Sequence, residues 1–222
     1  MHKCLGVGLP PTSTISKNKF FAETPSAKTS SFVFSALALL ASTLVHAQNP
    51  INALPTGGQV VAGQVAISQT SNATSATMNV NQASQRAIVN WDSFNVGKNA
   101  QVNFNQPNQN AVILNRVTGA SSSVIDGAIK ANGQVILVNQ NGVTFGKGSQ
   151  VDAAGVTAST LDIANKDFMD GKSTYKGNGQ GAILNEGKIT TNSDGGYIAL
   201  LAPEVRNQGY LCLLYTSDAA DD

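Results

Sequence analysis

Apolar residues in this chain arrive in short runs, and Asn, Gln, Gly or another turn residue soon cuts each run off. Val102 to Phe104, Ala111 to Leu114, Val135 to Val138, Val143 to Phe145, Ala182 to Leu184 and Tyr197 to Leu201 are the main examples. Runs of this length suit β-strands and are too short for a helix that must bury one face. "ATMNVNQ" (76–82) alternates apolar and polar residues, as a half-buried strand does, and Val60-Val61 and Val65-Ile67 add shorter strand-like pairs. The interruptions also repeat. "ILNEGKI" and "VRNQGYL" both carry Asn-x-Gly, and Asn185 and Asn207 within them are 22 positions apart. "AVILN" (111–115) resembles "AILN" (182–185). A period near this value, with short strands and Asn/Gly corners, predicts a parallel β-solenoid. In that fold each coil lends short strands to long parallel sheets, and inward Val, Ile, Leu and Ala stack in columns. A β-sandwich is the alternative, with similar strands and no period.

Composition narrows the function. In 222 residues, one domain plus appendages is expected. Lys and Arg number 14 against 13 Asp and Glu, so nothing in the charge favours nucleic acid or an anionic membrane. Asn is abundant, with 21 between Gln48 and Tyr210, which suits tight turns rather than charge-driven disorder. Cys4, Cys212, His2 and His46 all fall outside 48–210. A Ser-His-Asp triad, a Cys-His pair, a Cys-based zinc site and a His-ligated metal are therefore excluded from that body. No catalytic residue, metal or cofactor is expected. Asp92, Asp126, Asp152 and Asp162 are scattered along the chain. A polysaccharide-active β-helix enzyme would gather acids on one sheet, and linear spacing alone leaves that alternative open.

Both ends differ from the body. "SFVFSALALLASTLVHA" is an apolar run of export-signal type, preceded by Lys3, Lys17, Lys19 and Lys28. It makes residues 1–47 an extended signal peptide, cleaved between Ala47 and Gln48, with the Sec machinery and signal peptidase as first partners. A transmembrane anchor fits less well, because the run is short and interrupted by polar residues. "LCLLYTSDAADD" (211–222) leaves the Asn/Gly pattern. It is expected not to continue the coil and reads as a non-native tail on a protein that natively runs beyond Tyr210.

Several residues in the body stand out. Trp91 and Phe94 are large apolar groups near the start of the solenoid, where an open sheet edge needs a cap. A cap or core role is expected of them, with a docking anchor as the other reading. Asn115 and Asn185 follow apolar runs and suit amide ladders between coils. Arg116 has Asp92 and Asp126 as candidate partners. Asn141-Gly142, between "VILV" and "VTF", is a turn signal. "STLDIANKDFMDGKS" (159–173) reads as a short helix or an excursion loop, capped by Ser159 or Thr160 and stopped by Gly171. The glycosylation sequon Asn72-Ala73-Thr74 reads as chance.

Four strings taken together carry a family resemblance: "IVNWDSFNVGKNAQVNFNQP" (88–107), "AVILNRVTGASSSVIDGAIKANGQVILVNQNGVTFG" (111–146), "GVTASTLDI" (155–163) and "GGYIALLAPEVRNQG" (195–209). In this order they resemble the N-terminal secretion domain of filamentous-haemagglutinin-type exoproteins, the cargo of two-partner secretion. The resemblance covers nearly all of 48–210. It implies an all-β, right-handed parallel β-helix with N-terminal capping strands and small extra-helical β elements. It also implies recognition by an outer-membrane barrel transporter with periplasmic receptor domains, and export through the periplasm to the surface or surroundings of a Gram-negative cell. Contacts with a host cell surface would lie in downstream repeats. A host- or glycan-binding adhesin domain remains the alternative function. Two family motifs, Asn-Pro-Asn-Leu and Asn-Pro-Asn-Gly, have altered counterparts here. These are Asn105-Gln106-Pro107-Asn108 and Asn139-Gln140-Asn141-Gly142, in which Gln replaces the Pro of the second motif. The resemblance makes these eight residues candidates for transporter recognition, and their chemistry makes them corners.

Overall fold

The computed structural model describes residues 2–6 and 49–214. The apolar run of the expected signal, its cleavage site at Ala47 and Gln48, and residues 215–222 lie outside them. Strand β1 is His2–Gly6, and β2 (Gln59–Ala62) and β3 (Val65–Ser71) precede the first coil. That coil contains β4 (Ala76–Gln82) and β5 (Arg86–Trp91). The next holds β6 (Ala100–Asn105), β7 (Val112–Val117) and β8 (Ser123–Ile125), followed by β9 (Ala128–Ala131), β10 (Gln134–Val138) and β11 (Val143–Phe145). Then come β12 (Gln150–Ala153) and β13 (Gly155–Ser159). An excursion of β14 (Asp162–Ile163), α1 (Asn165–Met169) and β15 (Tyr175–Lys176) interrupts that coil before β16 (Ala182–Asn185) closes it. Strands β17 (Lys188–Thr191), β18 (Ile198–Leu201), β19 (Glu204–Asn207) and β20 (Tyr210–Leu214) complete the order.

The strands stack into three long sheets. The first runs β3-β4-β6-β9-β12-β17-β20-β1, the second β2-β5-β7-β10-β13-β18, and the third β8-β11-β16-β19. Within the coils all pairing is parallel, which is the predicted solenoid and not a sandwich. Met78, Val102, Ile129, Val151, Ile189 and Leu211 fall in one register and form an inward column. Each fully buried aliphatic side chain of this kind contributes about 1.5–3 kcal/mol. Leu211 in that column corrects the expectation for the tail. The boundary at 210/211 falls inside β20, and the coil continues to Leu214 because Leu211 supplies the apolar residue its position needs. β1 pairs antiparallel with β20, setting Cys4 opposite Cys212, and Cys212 is disulfide-bonded.

The N-terminal end is capped by antiparallel pairing. β3 lies against β4 and β2 against β5, so neither first-coil strand is left as an open edge. The β3–β4 hairpin turns on Asn72, whose Oδ1 accepts hydrogen bonds from the N–H groups of Thr74 and Ser75, both at 2.9 Å. The sequon asparagine is therefore a turn residue.

The second sheet is apolar on both faces, which accounts for the unbroken "AVIL" (111–114) that leads into β7. Ile113 and Val117 point into the solenoid. Leu114, Ile88, Ile136 and Val138 point outward into a second cluster with Ile163 and Phe168 of the excursion. The helix and loop readings of 159–173 thus both hold in part. The expected cap does not: Ala164 occupies the helix N-cap with no side-chain bond, and Ser159 Oγ serves Leu161 instead. The chain leaves the sheet edge before the helix begins, so Ser159 stands too early to cap it. Gly171 does stop the helix, at φ 82°, with its N–H on Phe168 O at 3.0 Å.

Candidate functional site

The two motif counterparts occupy different corners. Residues 105–108 turn the chain from β6 in the first sheet to β7 in the second, and residues 139–142 turn it from β10 to β11. They stand at opposite ends of the second sheet and are not brought together.

Gln106 organises the first corner. It is 7% exposed, and its side-chain Nε2 faces Gln82 Oε1 at 3.1 Å, Ala111 O at 3.1 Å and Gln134 O at 3.2 Å. Its Oε1 accepts from Gly133 N–H at 3.1 Å. Its backbone N–H and C=O are both met by the Asn132 side chain, each at 2.7 Å. Asn105 donates to Asn81 at 2.8 Å in a ladder that Asn103 and Asn79 repeat at 3.0 Å. Asn108 Oδ1 accepts from Asn110 N–H at 3.0 Å and bends its own turn. Pro107 is exposed. Beside the corner, a groove of about 460 Å³ is lined by Asn103, Asn105, Lys130, Asn132, Asp152 and Asn192.

The second corner follows the same logic. Asn139 is fully buried, donates to Ser121 O and Ser123 Oγ at 3.0 Å, and accepts from Asn141 N–H at 2.9 Å. Asn141 Nδ2 reaches Gly119 O at 3.0 Å on the preceding coil. Gly142 takes φ 107°, and a Cβ there would stand 2.8 Å from Ala182 O. Among the described residues no non-Gly residue has positive φ, so Asn141 contributes its amide and Gly142 alone the backbone freedom. Gly142→Val is expected to cost about 1–2 kcal/mol, read as a lower urea midpoint. Gln140 is exposed; its backbone C=O accepts from Gly181 N–H at 3.2 Å, and its side chain makes no hydrogen bond among the described residues. It shares a groove of about 330 Å³ with Asn141, Arg116 and Asp162.

The amide ladders form at Asn185, which donates to Asn207 at 2.8 Å, but not at Asn115. Asn115 lies inside the solenoid, fully buried, and its Oδ1 accepts from Trp91 Nε1–H at 3.0 Å. Trp91 and Phe94 are each 1% exposed and meet edge to face, with ring centroids 5.7 Å apart. The structure places both aromatics in the core under the cap.

Arg116 takes neither expected partner. Its Nε pairs with Asp162 at 2.8 Å, and its other nitrogens donate to Ile163 O at 2.6 Å and Asn165 Oδ1 at 2.9 Å. Asp126 accepts instead from Asn49 at 3.3 Å, and Asp92 packs against the turn at Gly57. Asp162 was too distant in sequence to suggest itself, and the one hint was the polar start of the excursion string. Arg116→Ala is expected to unseat the excursion at a cost of about 1–3 kcal/mol, seen as faster amide exchange at 162–176. Tyr175 in the same seat has its hydroxyl pKa raised by burial and by Tyr197, against an opposing hydrogen bond from Thr157. Folding thus favours the neutral phenol, a contribution present below the ordinary tyrosine range and lost as pH rises through the folded value.

The four acids are dispersed. Asp92 sits at the cap, Asp126 at the third sheet, Asp152 on the first sheet and Asp162 on the excursion. Among the described residues no group of three or more His, Cys, Asp or Glu converges as a metal site.

Comparison with known proteins adds to this geometry. The profile of the TPS secretion domain matches residues 51–212. A heme/hemopexin-binding protein of Haemophilus influenzae is 36% identical over 165 residues, covering 70% of this chain and 18% of that protein. A second heme/hemopexin-binding protein from Haemophilus influenzae is 40% identical over 109 residues, covering 49% of this chain and 11% of its own length. The chain therefore spans less than a fifth of either relative. The crystal structure of the HMW1 secretion domain from Haemophilus influenzae superposes with a TM-score of 0.62 at 34% identity, over 70% of this chain and 41% of that one.

Proposed function

Because this chain belongs to the TPS secretion domain family, we propose that residues 49–214 form the N-terminal secretion domain of a much larger exported protein. Domains of this family are recognised by a cognate outer-membrane transporter, and their exoproteins pass through the periplasm and across the outer membrane. The observation that carries the reading is the capped end followed by coils that each pair only with their neighbours. A capped first coil gives later coils a finished surface to add to, one interface at a time. Growth from that end, outside the cell, draws the following chain outward without ATP. Slow, non-local strand pairing keeps the chain threadable before that.

The family is a secretion and adhesin-type domain, and we read this chain as non-catalytic, which its dispersed acids support. A leader handled by the Sec machinery and signal peptidase, and a final place at a Gram-negative cell surface, complete the proposal. We assign any host-surface or heme contact to regions outside 49–214. The test is co-expression with a cognate outer-membrane transporter. Secretion into the medium is expected to vanish when residues 49–214 are deleted or the transporter is absent. Normal secretion without the domain would defeat the proposal.

A further inference from the structure

The outward face of the second sheet is both apolar and cationic. Ile88, Leu114, Ile136 and Val138 form its apolar floor, and Arg86 and Arg116 stand at its two ends. In the β5–β7 register Arg86 is opposite Val112, and Arg116 is opposite Asn90. The two arginines are therefore four residues apart along the strands, about 13 Å.

The excursion covers this face but satisfies only one of the two cations. Asp162 pairs with Arg116. Arg86 lies 4.8 Å over the Phe168 ring, and its buried Nη1 has no hydrogen-bond partner among the described residues. No carboxylate pairs with Arg86 among those residues, and a buried N–H without an acceptor is costly. The cover itself is slight. Its helix has five residues and its β14–β15 sheet two residue pairs, and Gly171 and Gly177 take positive φ beside them. A helix that short persists only through its packing. It also comes late, since the face is complete at Val138 and the chain is made from its N-terminus.

We propose that this face is a docking surface for a strand of the transporter's periplasmic receptor domain, and that the excursion competes for the same seat. The proposal rests on the reading that a transporter recognises this chain. The partner strand carries two carboxylates four residues apart with an aliphatic residue midway, because alternate residues of a strand face the same way. Its carboxylates meet Arg86 and Arg116, and its aliphatic group rests on Leu114. It belongs to a sheet of the receptor, so its backbone bonds are already made and the two sheets pack about 10 Å apart. Docking of the excursion then displaces the receptor, coupling release to completion of the fourth coil.

The test compares the full chain with the double variant Asp162→Asn/Phe168→Ser, using the purified receptor fragment of the cognate transporter as probe. Emission of Trp91, the single tryptophan, reports that the core is intact. Loosening the excursion is expected to tighten receptor binding by about tenfold, and adding Arg86→Gln to remove that gain. No gain on loosening, or a gain that survives Arg86→Gln, overturns the proposal. If the double variant loses the Trp91 signal, Phe168→Ser alone makes the same comparison. Secretion of the parent chain reads the earlier proposal separately. Normal secretion without any gain in binding defeats the docking surface alone, and absent secretion defeats both.

Discussion

Trp91→Ala is expected to destabilise the domain by about 3–5 kcal/mol, the largest loss from any single side chain here. The indole is 1% exposed, meets Phe94 edge to face, and underlies Gly58 of the cap. Removing it opens a cavity where the cap joins the first coil. It also strands Asn115 Oδ1, which is fully buried and accepts the indole N–H. The two effects are separable. Trp91→Phe keeps much of the packing and loses the donor, so its cost should be about 1–3 kcal/mol. Trp91→Phe combined with Asn115→Leu removes both polar partners, and coupling in that cycle measures the hydrogen bond. Far-UV circular dichroism in urea is the required readout, since the variants lack the only tryptophan. Against a typical total of about 5–15 kcal/mol, the alanine variant should be partly unfolded at 37 °C. A loss below about 1 kcal/mol would mean that the cap, and not the indole, closes the first coil.

The regular part of this fold could be read from sequence because each coil repeats the same physical demand. Asn185 and Asn207 showed the period, and they pair directly. Trp91 and Phe94 were legible because a solenoid must close its first edge. The excursion obscured the rest. It separates β12 from its neighbour β17 by an extra 160–181, so the repeat cannot be followed through that stretch. The first coils are also longer, with Asn79 and Asn103 bonded across 24 positions against 22 for the later pair. Nearness in sequence favours Asp92 and Asp126 for Arg116, whereas its partner lies 46 positions on. Nothing in a linear pattern shows that a sheet is buried on both faces except an unbroken apolar run, and "AVIL" was that signal. Asn115 looked like a ladder residue and proved to be an interior acceptor. Alternation in β7 could have placed it, since Asn115 lies two positions from both Ile113 and Val117.

The amide corners can be sorted by experiment into those that hold shape and those free to be read by a partner. Gln106→Leu is expected to cost about 2–4 kcal/mol, because it leaves buried Gly133 N–H without an acceptor and removes the link between Gln82, Ala111 and Gln134. Leu fills similar volume, so the loss is one of hydrogen bonds and not of packing. Secretion should fall with stability in this variant, and a stabilising substitution elsewhere should restore both. The exposed neighbours behave differently. Pro107→Ala and Gln140→Ala remove no hydrogen bond of the coil and should change stability by less than about 0.5 kcal/mol. If the corners are read by the transporter, these two variants lose secretion while their urea midpoints stay fixed. If the corners only turn the chain, secretion tracks stability across all three variants. The altered motif 105–108 is then explained by its buried amide: Gln at 106 links three neighbouring coils through Gln82, Ala111 and Gln134, a reach that proline at that position does not have.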